Sequence, residues 1–194
     1  MERLIYNRIK KYKSIKSKNI FLSNFFTRLE WKGNKMAKQN QILFNFENEY
    51  KNDLHFIPLA IRYKLDTLGL KIGLDAWLRL SIEERFELLN SPFDFERQFI
   101  PEAYRIEFKN LLNEYLTRRG EPEAKIISII NSENWSKANP IPDCVLKSMH
   151  ENGLIPENLD WNSLSELKRF ILWKLALSAR QKETFPKAFE EFRG

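Results

Sequence analysis

The side chains that most often do chemistry in proteins are scarce in this chain of 194 residues, which holds two histidines and one cysteine. His55 and His150 could ligate a metal, but neither has cysteines or carboxylates around it at the spacing that zinc sites use. The chain also lacks the cysteine set of an iron–sulfur cluster. Cys144 is followed by apolar Val145 and Leu146, which is typical of a buried, inert thiol. We therefore expect no metal, no cofactor and no intramolecular disulfide.

Acid–base and phosphate chemistry also lack a recognisable arrangement of residues. Asp66, Glu83 and Glu84 could exchange protons with a substrate, but each has an adequate local role as an ion-pair partner or helix cap. The sequence contains no G-x-G-x-x-G or G-x-x-x-x-G-K-[ST] loop to cradle phosphate, and no G-x-S-x-G nucleophile elbow. We expect a protein that is not an enzyme and has no small-molecule substrate.

One segment, residues 56–74, combines a helix start, a charged face and a glycine stop. Pro58 suits the first helical position, and Gly69 suits the left-handed residue just past the helix end. Arg62 and Asp66 lie one turn apart, where an ion pair would contribute roughly 0.3 kcal/mol. Four apolar residues recur at helical spacing and are expected to face the core: Ile57, Ile61, Leu65 and Leu68.

Four motifs, in order along the chain, resemble the pattern of a known family. The first consists of Phe56, Ile57, Pro58, Arg62, Lys64, Leu65, Asp66, Gly69, Leu70 and Lys71. The others are LSIEER at 80–85, RRGEP at 118–122 and W-x-x-L-x-x-x-x-R-F-x-x-x-K-L at 161–175. Together they span most of residues 43–192, and they are similar to the motifs of the nitrate-reductase-associated protein family of cyanobacteria and other bacteria.

This resemblance implies a small, non-enzymatic factor that is needed for a working assimilatory nitrate reductase and acts in its assembly or cofactor loading. Its partners would be nitrate reductase or the proteins that deliver the molybdenum cofactor. The candidate partner contacts are the motif residues without an obvious core role: Arg62, Lys64, Asp66, Lys71 and Glu121. The structural positions of the motifs would be Pro58, Gly69, Gly120 and Pro122. Many members carry cysteines where this chain has Leu68 and Phe93, so thiol ligands are not expected here.

The longest predicted helix runs over residues 101–119, with Pro101 in its first turn and Gly120 as its stop. Arg118 and Arg119 would complement the negative pole of its dipole, an effect worth about 0.3–1 kcal/mol. Its apolar stripe has a spacing that only a helix satisfies: Tyr104, Phe108, Leu111, Leu112 and Tyr115.

Other helix starts and stops predict an all-α, single small domain of about six to eight helices. Ser81 with Glu84, and Ser163 with Glu166, form two capping boxes that each begin a helix. The pattern at residues 43–52 fits either a short entry strand or an irregular lead-in. The remaining predicted helices are one capped by Asp75, one over 143–151 that stops near Gly153, and one that begins at Pro186.

The positive charge of the chain lies at one end. Residues 1–35 hold ten basic and two acidic side chains, a net charge of +8, whereas the whole chain carries +6 and residues 36–194 therefore carry −2. A body without excess positive charge has little attraction for phosphates, so nucleic acid is not expected as a partner. Basic residues in the last motif and beyond point to different sides of a helix, unlike a recognition helix: Lys168, Arg169, Lys174 and Arg180.

Three interpretations of the basic, disordered extension over residues 1–35 remain open. Translation could begin at Met36, where sequences of the family usually begin, since Lys32 and Gly33 must be encoded AAR-GGN, a ribosome-binding type of core. The extension could instead be a targeting leader. In the third interpretation, the extension is a functional basic arm and the protein has an alternative function, that of an adaptor that binds RNA or a membrane surface. Mass spectrometry of the native N-terminus would discriminate among them.

The helical domain is expected over residues 36–194, in a cytoplasmic protein. No stretch approaches the roughly 20 apolar residues that cross a bilayer, and neither a secretory h-region nor a small-residue cleavage site is visible. The hydrophobic fraction of 43% and aromatic fraction of 13% are those of a packed globular protein.

Overall fold

The computed structural model describes residues 43–95, 101–137, 139–178 and 183–193. These ranges form seven α-helices: α1 (Leu59–Leu68), α2 (Leu74–Arg79), α3 (Ile82–Asn90), α4 (Glu102–Arg118), α5 (Asp143–Glu151), α6 (Glu166–Ala176) and α7 (Thr184–Phe192). They also form two strands, β1 (Leu70–Lys71) and β2 (Lys125–Ile126), and three 3₁₀ helices: Asn45–Tyr50, Ser132–Trp135 and Pro156–Asn158. The predicted all-α fold is confirmed. The predicted extension over residues 1–35 lies outside the described residues.

Helix α6 is the central element of the described fold, because it packs against α1, α5, α7 and the 3₁₀ helix Ser132–Trp135. The helical spacing of Leu164, Leu167, Ile171 and Leu175 predicts one apolar face, and all four are buried in the core together with Phe170. Each such side chain contributes about 1.5–3 kcal/mol on burial. Phe185, Phe189 and Phe192, which recur at one-turn spacing in α7, are also buried.

Several helix ends lie where the local sequence places them. Helix α5 has the predicted bounds, and Gly153 beyond it has a positive φ of 66°. Helix α4 ends within one residue of its prediction, and Gly120 has a φ of 73°. The predicted capping box of α3 is present, since Ser81 Oγ accepts from Glu84 N at 3.2 Å and Glu84 Oε2 accepts from Ser81 N at 2.8 Å.

The predicted capping box of α6 is wrong. Ser165, not Ser163, is the N-cap, and its hydroxyl accepts an N–H of the first turn at 3.3 Å. The hydroxyl of Ser163 donates instead to the backbone oxygen of Asp160 at 2.8 Å. Glu166 Oε1 accepts from the hydroxyl of Tyr63, a buried residue of α1, at 2.6 Å. A core contact thus overrides the local pattern.

The starts of α1 and α2 also differ from the prediction by one or two residues. Gly73, not Asp75, is the N-cap of α2, and Asp75 lies in the first turn. Pro58 is the N-cap of α1 rather than its first helical residue. Proline has no side-chain acceptor for the exposed N–H groups of the first turn, so another residue must supply one.

Residues 43–52 supply the acceptor for the first turn of α1. They form neither the short entry strand nor the irregular lead-in that their pattern predicts. They contain the 3₁₀ helix Asn45–Tyr50, whose fully buried Glu47 accepts from Leu59 N, at the start of α1, at 2.9 Å. The same carboxylate accepts from the Tyr50 hydroxyl at 3.0 Å. Burial raises the pKa of Glu47, against the lowering effect of these hydrogen bonds.

A short antiparallel pair of strands, β1 and β2, joins the first motif to the segment that follows Arg118 and Arg119. Leu70 lies opposite Ile126, and Lys71 lies opposite Lys125. Pro122 is exposed just before β2. Although β1 and β2 are distant in sequence, their pairing brings the first and third motifs to one surface.

Residues 125–130 cross the C-terminal end of α1 at close range. Ile127 N donates to Gly69 O at 2.9 Å, and Ile130 N donates to Asp66 O at 3.2 Å. Gly69 has the predicted left-handed conformation, with φ 68°. A Cβ at this position would lie 2.8 Å from Ile127 O, so the crossing requires glycine for space as well as for conformation.

Candidate partner-binding surface

Asp66, on the charged face of α1, forms an ion pair with a residue of a different helix. Lys174 Nζ of α6 lies 2.6 Å from Asp66 Oδ2, and both side chains are largely screened from solvent. Helices α1 and α6 pack together, which brings residues 108 positions apart into contact. The pair therefore holds the first motif against the fourth, and Asp66 has a role within the fold.

Arg62, one turn away from Asp66, is half-buried on α1. Its Nε is buried and has no hydrogen-bond acceptor among the described residues. Burial lowers the pKa of the guanidinium, against the charge of Asp66, but an arginine remains protonated at physiological pH. Because this Nε is buried, it is not a donor that a partner can reach in this structure.

Lys64 lies in the interior, contrary to the expectation of a surface contact, and its exposed fraction is 0%. Its Nζ donates to Leu88 O at 3.1 Å, Leu89 O at 2.9 Å and Ser91 O at 2.8 Å, as well as to Ser91 Oγ at 3.0 Å. These carbonyls are at the end of α3, where the helix dipole favours a cation. Three rings face the ammonium at 5.7–5.9 Å: Phe93, Phe95 and Phe108. Lys64 joins α1 to α3 and is not accessible to a partner in this structure.

The RRGEP motif forms ion pairs with the second motif and with α2. Arg118 Nη1 lies 3.3 Å from Glu84 Oε1, and Arg119 Nε lies 3.0 Å from Glu84 Oε2. Glu121 Oε1 lies 2.6 Å from Arg79 Nε. The arginine pair predicted to complement the α4 dipole therefore also binds a nearly buried carboxylate, and Glu121 has a partner inside the fold.

Glu84 gives a pH-dependent prediction. Burial raises its pKa, but the hydrogen bond from Arg119, the Ser81 N–H and the charges of Arg119 and Arg118 outweigh that effect, and the net pKa is lowered. A carboxyl whose folded pKa is lowered stabilises the fold above its unfolded pKa and loses this contribution as pH falls through the folded value. Glu84→Gln should therefore lower the free energy of unfolding by about 1–1.5 kcal/mol at pH 7.

The measurement is urea denaturation of Glu84→Gln and wild type at pH 7 and at pH 3.5. The difference between the two proteins should shrink at the lower pH, because the Glu84 carboxyl of the unfolded wild-type chain binds protons more readily than that of the folded chain. Glu107→Gln, at an exposed position on α4, is the control. A difference that is the same at both pH values would contradict the role assigned to the charge of Glu84.

Two further arginines in the motifs are buried: Arg85, which was not singled out from the sequence, and Arg169, which was considered only as a basic residue of a helix. Arg85 donates to three backbone oxygens: those of Asp53, Trp77 and Leu78. Arg169 donates to the backbone oxygens of Trp135 and Leu164. Both charges satisfy carbonyl groups of loops and helix ends. Charged residues in an amphipathic pattern usually face solvent, so the sequence alone gave no indication of this role.

The basic residues considered for nucleic-acid binding are distributed through the fold. Lys174 is paired with α1, and Arg169 is buried. Lys168 Nζ lies 5.1 Å from the ring centre of Phe192. Arg180 lies outside the described residues. The three described residues are engaged with different parts of the fold and do not form a common binding face.

The residues considered for metal or thiol chemistry have local contacts. His55 Nδ1 lies 2.7 Å from Asp53 Oδ1 on the surface. Cys144 is half-buried, and burial raises the pKa of its thiol. Among the residues that the structure describes, no group of three or more histidine, cysteine, aspartate or glutamate side chains is arranged to hold a metal ion. In the same part of the chain, no helix is long and apolar enough to span a bilayer.

The β1–β2 strand pair, in contrast, carries several exposed side chains. Lys71 is exposed, as its candidate role requires, and the Lys125 side chain opposite it is exposed too. Ile126 is 75% exposed and Ile129 is 49% exposed. Because consecutive residues of a strand point to opposite faces, Lys125 lies on the same face as Lys71, and Ile126 lies on the face of Leu70.

Comparison with known proteins agrees with the resemblance of the motifs. The model of one protein family, described as conserved nitrate reductase-associated protein, matches residues 43–192. Searches of curated proteins and of solved structures found no match. Because the matched region covers more than half of the sequence and contains all four motifs, the chain belongs to the conserved nitrate reductase-associated protein family.

Proposed function

We propose that this chain is a non-catalytic, cytoplasmic accessory protein needed for active assimilatory nitrate reductase. It binds the reductase apoprotein or the proteins that deliver the molybdenum cofactor, and it takes no small-molecule substrate or nucleic acid. The observation that carries this proposal is the match of residues 43–192 to a family associated with nitrate reductase.

The contacts of the motif charges support a binding role over a catalytic one. An active site needs titratable groups that face a cleft and can reach a substrate. Lys64, Arg85 and Arg169 instead donate to backbone oxygens inside the fold. Glu84 is held between two arginines. The charges of the motifs thus stabilise a particular arrangement of helices, which is what a protein that presents a surface requires.

Among the candidate contacts, Lys71 is the one whose side chain is exposed. Asp66 and Glu121 are paired with Lys174 and Arg79, so substituting either residue would disturb the fold as well as any interface. Lys71 is therefore the residue to change when binding is to be separated from stability.

Binding to the reductase can be tested with purified proteins. The full chain, immobilised through a tag, is exposed to nitrate reductase purified with and without its molybdenum cofactor. We expect a complex with the cofactor-free enzyme and binding at least about tenfold weaker with the loaded enzyme, since an accessory factor must leave its mature client. No complex with either form of the reductase, or with the cofactor-delivery proteins, would contradict the proposed function.

A further inference from the structure

We propose that the outer edge of β2, together with the two residues after it, binds an extended segment of nitrate reductase as an added β-strand, and that this segment alternates apolar and acidic side chains. We call residues 125–128 the β2 edge. The inference rests on the proposed function and adds the place of the interface, the mode of binding and the chemistry of the partner segment.

The register of β1 and β2 determines which backbone groups point outward. Ile127 N donates to Gly69 O at 2.9 Å. In an antiparallel ladder, residue pairs that exchange hydrogen bonds alternate with pairs that do not. The neighbouring pair, Leu70 and Ile126, is therefore one that does not. As a result, the N–H and C=O of Ile126 point away from β1.

The outer side of β2 has no strand beside it in the described part of the chain, where the sheet consists of β1 and β2. Within the same ranges, the backbone of Ser128 makes no hydrogen bond. Lys125, Ile126 and Ser128 are exposed. The β2 edge thus offers N–H and C=O groups at alternate residues, which is the arrangement that an added strand uses.

The side chains of the β2 edge indicate the chemistry of the added strand. Lys125 and Ile126 are consecutive and point to opposite faces. On the face of Lys125, the exposed Lys71 lies directly opposite, and like charges so placed are unfavourable. A carboxylate of the added strand would relieve this repulsion. On the other face, Ile126 is 75% exposed beside buried Leu70, so an apolar side chain would cover it.

The same lysines argue against the pairing of two copies of this chain. A second β2 added antiparallel at the β2 edge would place its Lys71 and Lys125 on the same face as those of the first copy. The lysines of both copies would then repel each other. Lysine on an edge strand commonly prevents such self-pairing. The β2 edge is therefore suited to an acidic strand and unsuited to its own copy.

Contacts on the inner side hold the β2 edge in place. Ile127 N and Ile130 N donate to Gly69 O and Asp66 O at the end of α1. These bonds leave the outward groups of Ile126 free of the fold. An edge that is fixed before binding loses little conformational freedom when the partner arrives, which favours affinity.

The test blocks the β2 edge without removing the bonds between β1 and β2. Ile126→Pro lacks the outward N–H, and edge strands accept proline where the N–H side faces solvent. Ile126→Val is the matched control, because it keeps the N–H and a β-branched apolar side chain. In the binding assay with cofactor-free nitrate reductase, we expect Ile126→Pro to bind at least about tenfold more weakly and Ile126→Val to bind within about twofold of wild type.

Further variants keep the test decisive if Ile126→Pro fails to fold, which circular dichroism and thermal melting would show. Ser128→Pro blocks the β2 edge at the next outward position and should weaken binding to a similar extent. Lys125→Glu should weaken binding at least about fivefold, because it would repel an acidic strand, whereas Lys137→Glu, at an exposed position elsewhere, should bind within about twofold of wild type.

Amide hydrogen exchange of the wild-type chain reports the new backbone bonds directly. In the complex, the amides of Ile126 and Ser128 should exchange at least about tenfold more slowly than in the free chain, because they become hydrogen-bonded. The amide of Ile155, an exposed residue elsewhere, should be unchanged. Unchanged exchange at Ile126 and Ser128 in a formed complex would overturn the inference.

The remaining outcomes separate the inference from the proposed function. Folded proline variants that bind the reductase like wild type would overturn the inference and leave the function intact. The same holds for a complex formed only with the cofactor-delivery proteins, and for a wild-type dimer that the proline variants abolish while reductase binding is unchanged. Failure of the wild-type chain to bind any of these proteins would contradict the proposed function and, with it, this inference.

Discussion

Replacing Lys64 with methionine is expected to lower the free energy of unfolding by about 3 kcal/mol. Methionine fills a similar volume but cannot donate to the oxygens of Leu88, Leu89 and Ser91, which Lys64 reaches at 2.8–3.1 Å. Each buried acceptor left without a donor costs about 1–3 kcal/mol, and removing a desolvated charge offsets part of the total. The contact between α1 and α3 should be the part of the fold that weakens most.

The pH dependence of this substitution is a second readout. Burial lowers the pKa of Lys64 from 10.5 to about 7, so between these values the unfolded chain binds a proton that the folded chain does not. Wild-type stability from this group therefore increases as pH rises from 7 towards 10.5. Lys64→Met lacks the titration, so its deficit relative to wild type should grow by about 2 kcal/mol between pH 7 and pH 9.

Urea denaturation followed by circular dichroism measures both effects. Lys71→Met is the matched control, because Lys71 is an exposed lysine of the same motif and should change stability by less than about 0.5 kcal/mol. If Lys64→Met matched this control, the hydrogen bonds to the end of α3 would not be what holds the two helices together.

A comparable loss, about 3 kcal/mol, is expected for Gly69→Ala. An L-residue at φ 68° costs about 1–2 kcal/mol in this left-handed conformation. The added Cβ would also lie 2.8 Å from Ile127 O and 3.1 Å from Ile129 Cγ1. Relief of that contact would move residues 125–130 and stretch their hydrogen bonds to the end of α1, which adds about 1–3 kcal/mol.

Gly120→Ala separates the two contributions to this loss. Gly120 has a similar φ of 73°, but no atom lies within 4 Å of the position of an added Cβ. Its substitution should cost about 1 kcal/mol, from conformation alone. Thermal or urea unfolding of both variants would measure the difference. The free energy of unfolding of Gly120→Ala should be about 2 kcal/mol higher than that of Gly69→Ala. Equal losses would mean that the close crossing over Gly69 carries no energetic weight.

The helices of this domain could be predicted from the sequence because the information for them is local. The stripe of α6, the bounds of α5 and the stops at Gly69 and Gly120 follow from side chains within a few turns of each other. The predicted cap at Ser163 was wrong because Glu166 bonds to Tyr63 in the core. That contact, 103 residues apart in sequence, has no local signature.

The positions of the charged residues could not be predicted for the same reason. Lys64, Glu47 and Arg85 fit a solvent-facing pattern, yet each is buried and bonded to backbone groups of another element. Helix ends leave carbonyl and N–H groups that a distant charge can satisfy, and only the packing of the elements shows which charge does so. The placement of Lys71 opposite Lys125 could not be predicted either, because the register of two strands that are distant in sequence depends on the packing of the whole fold.

The most direct test of the accessory role is nitrate reductase activity in extracts of a strain that lacks this gene. The assay uses an artificial electron donor and is accompanied by an immunoblot for the reductase polypeptide. We predict that reductase activity is lost while the immunoblot still detects the reductase polypeptide. The wild-type gene should restore the activity. Full reductase activity in the deletion strain would contradict the proposed role.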